Sequence, residues 1–267
     1  MSDAAVVISA EQALGEERFI LDVRDHASYL EGHAPGAVHL DIRVWEAAGK
    51  AADTDFANTG FWSKRIGELG IDATTRVAVH DAGKQTEAAR VWFILQLFGV
   101  QAAILDGGWP ALQQVLQGRV ETEHIPVTKR LFEAYGQRPG VGVFTRHSLR
   151  NALERHEVTI FDARTAAEHS GEDSRGNARS GHLPGAANIS HTDLLNGDGK
   201  LKPVETLRKL LADAGLQAGQ TIVTHCQGGG RAALAAAAAV HAGFGNVHAY
   251  YLSFGDWAAD ENCPIVR

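Results

Sequence analysis

Short apolar runs rich in β-branched residues recur along the chain, at Phe19–Val23, Arg76–His80, Ala102–Leu105, Thr159–Asp162, Thr221–His225 and Val247–Tyr251, each followed by a segment of helical character. Strands that alternate with helices predict an α/β protein with a mainly parallel sheet, because a parallel connection needs a crossover long enough to hold a helix. Ala232–Ala242 is apolar nearly all round, which predicts a helix buried against the sheet, with Gly243 or Gly245 ending it. Residues 118–141 carry charged residues and QRPGVGV without an apolar period. They are expected to hold an interdomain linker, at 121–141, between domains at 1–120 and 142–267.

The pattern repeats. FILDVR at Phe19 returns as IFDAR at Ile160, GHAPGA at Gly32 returns as GHLPGA at Gly181, and RVAVHDAGKQT aligns with TIVTHCQGGGR. The last alignment sets Asp81 against Cys226, an offset of 226 − 81 = 145 that also pairs Trp109 with Phe254. The chain is therefore a duplication. Asp22 lies 10 residues before Gly32 but Asp162 lies 19 before Gly181, so the second copy carries a nine-residue insertion. Its polar sequence, within EHSGEDSRGNARSGH, predicts a surface loop.

With 267 residues, 45% of them hydrophobic and 21% charged, the chain has enough apolar side chain for two cores. A formal charge of −7 and a pI near 6.0, with no run of lysine or arginine, argue against a nucleic-acid surface. No apolar stretch approaches membrane-spanning length, and the first residues show no basic, then apolar, export pattern. The two cysteines, Cys226 and Cys263, make no disulfide framework, so a reducing cytoplasm is the expected compartment.

The candidate chemistry lies at Cys226. A strand runs into the cysteine, and three consecutive glycines and Arg231 follow before the alanine-rich helix. Glycines let successive N–H groups turn toward one point, the helix brings the positive end of its dipole, and Arg231 adds a fixed cation. All three favour thiolate over thiol, so Cys226 is expected to be a nucleophile beside an anion cradle built from Gln227, Gly228, Gly229, Gly230 and Arg231.

Other features have plainer readings. GHAPGA and GHLPGA are expected to be turns, and the Asp–Arg pairs of DVR and DAR to be structural ion pairs near strand ends, with Arg24 and Arg164 not ligands. NGDGK at Asn196 has too few oxygen ligands for calcium and is expected to be a turn. The five tryptophans are assigned to core packing, His225 to a strand end, and Cys263 to a passive tail.

DVR with GHAPGA, DAR with GHLPGA and the loop CQGGGR resemble the two-domain sulfurtransferases related to rhodanese, over nearly the whole chain. The resemblance implies two tandem rhodanese-like domains. It maps the persulfide-forming cysteine onto Cys226 and the substrate cradle onto Gln227–Arg231. Asp81, in the cysteine's place, implies a catalytically silent first domain. The implied reaction takes sulfur from a small-molecule donor, thiosulfate, and passes it to cyanide, another thiophilic acceptor or a protein. It needs no metal and no organic cofactor.

The mercaptopyruvate enzymes of this family resemble one another in a CGSGVT-type loop, unlike the one here, which favours thiosulfate. Of the two arginines that hold the keto-acid carboxylate in those enzymes, Arg175 matches one by position, whereas Glu168 stands in the other's place. Mercaptopyruvate transfer and a non-catalytic persulfide carrier stay open as alternatives. Phosphatase chemistry is disfavoured, because Cys226 and Arg231 enclose four residues, one fewer than in tyrosine phosphatases.

Overall fold

A computed structural model describes residues 5–134 and 141–267. The chain forms two compact units, one of Met1–Arg138 with Gly197–Lys200 and another of Pro139–Asn196 with Leu201–Arg267. Residues 135–140, the end of the expected linker short of Val141, lie outside the described residues.

The first unit holds strands β1 (Val7–Ile8), β2 (Phe19–Asp22), β3 (Val38–His39), β4 (Arg76–His80) and β5 (Gln101–Leu105) in the order β1-β5-β4-β2-β3. The second holds β6 (Val141–Val143), β7 (Thr159–Asp162), β8 (Ala187–Asn188), β9 (Ile222–His225) and β10 (Val247–Ala249) in the order β6-β10-β9-β7-β8. Every ladder is parallel, and helices flank both sheets. The two orders are the same permutation, as a duplicated sequence requires. The central strands β4 and β9 are buried over nearly their whole length, which is why they read as continuous apolar runs rather than alternating ones.

The alanine-rich helix spans Gly230–His241 and is buried from Gly230 and Ala232 through Ala239. Small side chains let it lie close to β9 and β10. Thr224 Oγ1 donates to the Ala232 carbonyl at 2.9 Å and ties the strand before the loop to the helix after it.

β10 is shorter than the apolar run suggests, ending at Ala249. Tyr250 and Tyr251 stay buried; the Tyr250 N–H still donates to the Thr224 carbonyl of β9 at 2.9 Å, and the chain then turns, the Tyr250 carbonyl accepting the Ser253 N–H at 3.1 Å where the helix Ser253–Ala259 starts. Residues 121–134 run along the first unit: Glu121 exchanges two backbone hydrogen bonds with His33, both 2.9 Å, and Arg130 N–H donates to the Gly67 carbonyl at 2.9 Å. NGDGK forms a turn between the bridged residues Leu195 and Leu201. Among the described residues no helix is long and apolar enough to cross a membrane.

Candidate active site

In each copy the two repeated motifs build one brace. Arg164 grips the Asp162 carboxylate with Nε and Nη2, at 3.0 and 2.6 Å, and Nη2 also donates to the Gly181 carbonyl of GHLPGA at 2.8 Å. Arg24 repeats this with Asp22 and the Gly32 carbonyl at 2.7 Å. The guanidinium carbons lie 3.9 Å over the Phe254 ring and 4.0 Å over the Trp109 ring. So DxR and GHxPGA are structural, and they fix the end of the strand next to the cysteine strand. Gly181 has φ +123, and a side chain there would strike the Val266 carbonyl.

Burial opposes ionisation of Asp162, but His225, His169 and Arg164 outweigh it and hold the carboxyl below the usual carboxylate range. Burial pushes His225 down to about 4, so this ring is neutral. Its Nε2 lies 3.6 Å from Asp162 Oδ2 and its Nδ1 lies 3.4 Å from the Cys226 carbonyl. Neither nitrogen addresses the sulfur.

Cys226 follows β9 at the start of the glycine loop and is 2% exposed. The Gly229 N–H donates to Sγ at 3.1 Å from a backbone at φ +105, a conformation glycine adopts without a Cβ clash. Gly229 is also the residue that begins the Gly230–His241 helix, so the sulfur faces a helix N-terminus. Cys226 is thus more enclosed than an open cradle suggests, yet a neighbouring peptide hydrogen points at it.

Beneath the loop sits Ser253, which the sequence pattern did not single out. Its Oγ accepts the Cys226 N–H at 3.1 Å, donates to the Tyr250 carbonyl at 2.9 Å and lies 3.8 Å from Sγ. The residue is fully buried with φ +62, a backbone region unfavourable to a side chain. A signal was available: the 145-residue offset that pairs Trp109 with Phe254 also pairs Ser253 with Gly108, whose φ is +58.

At the rim, Arg231 makes a bidentate ion pair with Glu168, Nη1 to Oε2 at 2.6 Å and Nη2 to Oε1 at 2.8 Å. Glu168 is 2% exposed, and it closes the capping box of the Ala166–Ser170 helix by accepting from Thr165 N–H at 3.1 Å. Burial again works against its charge. Arg231 and the Thr165 N–H prevail and leave its carboxyl at about 2. Arg231 is raised in turn, by Glu168 first and, after a contrary effect of burial, by the Cys226 sulfur beside it. Arg175 reaches the same carboxylate, Nε 3.8 Å from Oε1, but its side chain is 57% exposed.

Gln227 does not point a free amide into the loop. It pairs with Asn177 of the nine-residue insertion, so that insertion is fastened to the active loop rather than simply solvated. Arg179 anchors the insertion's other end on the carbonyls of Trp257, Ala258, Asp260 and Cys263. Cys263 is buried, and burial, then Asp260, push its thiol up. Among the described residues no group of three or more His, Cys, Asp or Glu is placed to hold a metal ion.

The matching loop of the first unit is closed from within. The Asp81 carboxylate accepts from the N–H groups of Gly83 (2.8 Å), Gln85 (3.1 Å), Glu87 (3.2 Å) and Ala88 (3.3 Å). Trp109 N–H donates to the Asp81 carbonyl at 2.8 Å as Phe254 N–H does to that of Cys226 at 2.9 Å. The same loop is therefore built twice, once around a carboxylate and once around a sulfur.

The Rhodanese-like domain family matches residues 7–114 and 145–260. The chain belongs to this family. It is 28% identical over 239 residues to the 3-mercaptopyruvate sulfurtransferase of Escherichia coli K12, covering 89% of this chain and 84% of that one. To the thiosulfate sulfurtransferase of Pseudomonas aeruginosa it is 26% identical, covering 93% and 91%. The solved structure of the anaerobic ergothioneine biosynthesis enzyme of Chlorobium limicola superposes with a TM-score of 0.84 at 20% identity, over 97% of this chain and 69% of that one, a likeness of fold. This rhodanese-family chain is a tandem sulfurtransferase.

Proposed function

We propose that the protein takes the sulfane sulfur of thiosulfate onto Cys226 and passes it to cyanide or another thiophilic acceptor. The observation that carries this reading is the Gly229 N–H aimed at the Cys226 sulfur, at a helix N-terminus and with Arg231 alongside. In the first step the Cys226 thiolate attacks the outer sulfur of thiosulfate. The S–S bond breaks, its electron pair leaves with sulfite, and Cys226 holds a persulfide. In the second step the acceptor attacks the outer sulfur, and the electron pair of that S–S bond returns to Cys226 as thiolate. The loop amide and the guanidinium stabilise the negative charge that both steps keep on sulfur.

Arg231 and Arg175 do not form an open pair of cations for a keto-acid carboxylate, because both face the Glu168 carboxylate. The two-cation clamp that a keto-acid carboxylate would use is therefore missing, which argues against mercaptopyruvate as the donor. The experiment is a steady-state comparison of the two donors with cyanide as acceptor, together with mass spectrometry after donor treatment. An adduct of about 32 Da on Cys226, absent from Cys226→Ser, and faster thiocyanate formation from thiosulfate are expected. A preference above roughly tenfold for mercaptopyruvate would overturn the donor assignment. An adduct without turnover would mark a persulfide carrier, and phosphate release from an aryl phosphate would mark a phosphatase.

A further inference from the structure

Around the reactive sulfur, the charged rim is built from three side chains on three pieces of chain. Arg231 opens the helix after the loop, Glu168 lies in the short helix held by the DAR brace, and Arg175 lies in the insertion at φ +51. The DAR brace reaches Glu168 directly, since Arg164 Nη1 donates to the Glu168 carbonyl at 3.2 Å. The carboxylate that results is buried, ionised and fixed by the bidentate grip of Arg231. Nearby His191 does not add charge, because burial, then Arg231, pushes its pKa down.

An anionic donor that approaches Cys226 past Arg231 therefore meets a guanidinium whose charge is already opposed at 2.6 Å. Repulsion from a fixed carboxylate grows in proportion to the charge of the approaching group. We propose that Glu168 is a specificity-determining residue that tempers the pull of Arg231 on anionic donors, weakening a dianion such as thiosulfate more than a singly charged thiosulfonate, without excluding either. The inference rests on the sulfur-transfer reading for its substrates, but the rim charge can be read without turnover.

The experiment uses Glu168→Gln, which keeps an oxygen for Thr165 and Arg231 and removes the charge. Thiosulfate and methanethiosulfonate present the same S–S bond at charges of two and one. The variant should lower KM for methanethiosulfonate about threefold and KM for thiosulfate about tenfold, the effect doubling on a logarithmic scale as the charge doubles. An equal change for both donors, or a rise in both, would show that Glu168 only braces the loop and would overturn the proposal.

The readout independent of turnover is the ratio of Cys226 alkylation by iodoacetate, an anion, to that by iodoacetamide, which is neutral. This ratio should rise about threefold in Glu168→Gln. In the wild-type protein it should stay within about threefold of the ratio for a small free thiol. A wild-type preference for iodoacetate beyond about threefold would mean that Arg231 is uncompensated, and would also overturn the proposal even if the variant does not fold. If no donor yields thiocyanate but the alkylation ratio rises in the variant, the functional reading fails and the charge selection stands.

Discussion

The side-chain amides of Asn177 and Gln227 pair reciprocally: Gln227 Nε2 donates to Asn177 Oδ1 at 3.0 Å, and Asn177 Nδ2 donates to Gln227 Oε1 at 3.1 Å. Asn177 Nδ2 also donates to the Ser174 carbonyl at 2.8 Å, and the Gln227 carbonyl accepts the Gly255 N–H at 3.3 Å. The insertion, the cysteine loop and the last helix are joined through this one pair.

Asn177→Ala leaves the half-buried Gln227 amide without its partner, at a cost of about 1 kcal/mol. The expected result is a KM for the sulfur donor raised severalfold with the fold intact, read by steady-state kinetics and thermal unfolding. Unchanged kinetics would mean that the insertion does not shape the loop.

Ser253 and Gly108 occupy matching left-handed turns, and only the copy with the cysteine has the hydroxyl. Ser253→Gly relieves the backbone by about 1 kcal/mol, roughly offsetting the lost hydrogen bond from the Cys226 N–H. Ser253→Ala loses that bond and keeps the strain. Both variants should alkylate Cys226 more slowly and transfer sulfur about tenfold more slowly, while Ala melts several degrees below Gly. Equal melting temperatures would show that the left-handed turn carries no strain.

Asp81 supplies the acceptor for four backbone N–H groups, the work that an external anion or a thiolate performs in an open cradle. Asp81→Ala should destabilise the protein by about 2 kcal/mol in urea titrations, with little effect on the Cys226 alkylation rate. A change in that rate without a change in stability would show that the Asp81 loop acts on the sulfur.

Acid should weaken the fold through His225. In the unfolded chain an imidazole titrates near ~6.5, whereas burial holds His225 at about 4, so between these values the unfolded state binds the extra proton. Stability therefore falls as pH drops from about 6.5 toward about 4, and His225 contributes no further loss below that. Asp162, depressed in the native state, adds its own loss as pH falls below the unfolded carboxyl value of about 3.9. Urea unfolding across this range should show the slope, and His225→Gln should flatten its upper part. A flat profile in the wild-type protein would contradict the neutral, buried assignment.

The parallel α/β character, the duplication, the brace role of DVR and DAR and the place of Cys226 are all legible in local pattern. Each is set by residues near in sequence or by a self-comparison: the apolar runs become strands, and the glycines after Cys226 permit the turn at Gly229. The rim was less legible. Nothing in the sequence tells Arg231 that its partner is Glu168, 63 residues away, or Gln227 that its amide is taken by Asn177, 50 residues away.

The sequence by itself determined what kind of sheet forms and which sulfur ends its central strand, because backbone turns and burial answer to the residues immediately around them. Only the tertiary structure decided how much charge that sulfur sees and where its N–H and hydroxyl partners lie. Electrostatic and hydrogen-bond partnerships depend on distances of a few ångströms between segments that become neighbours only once the chain has folded.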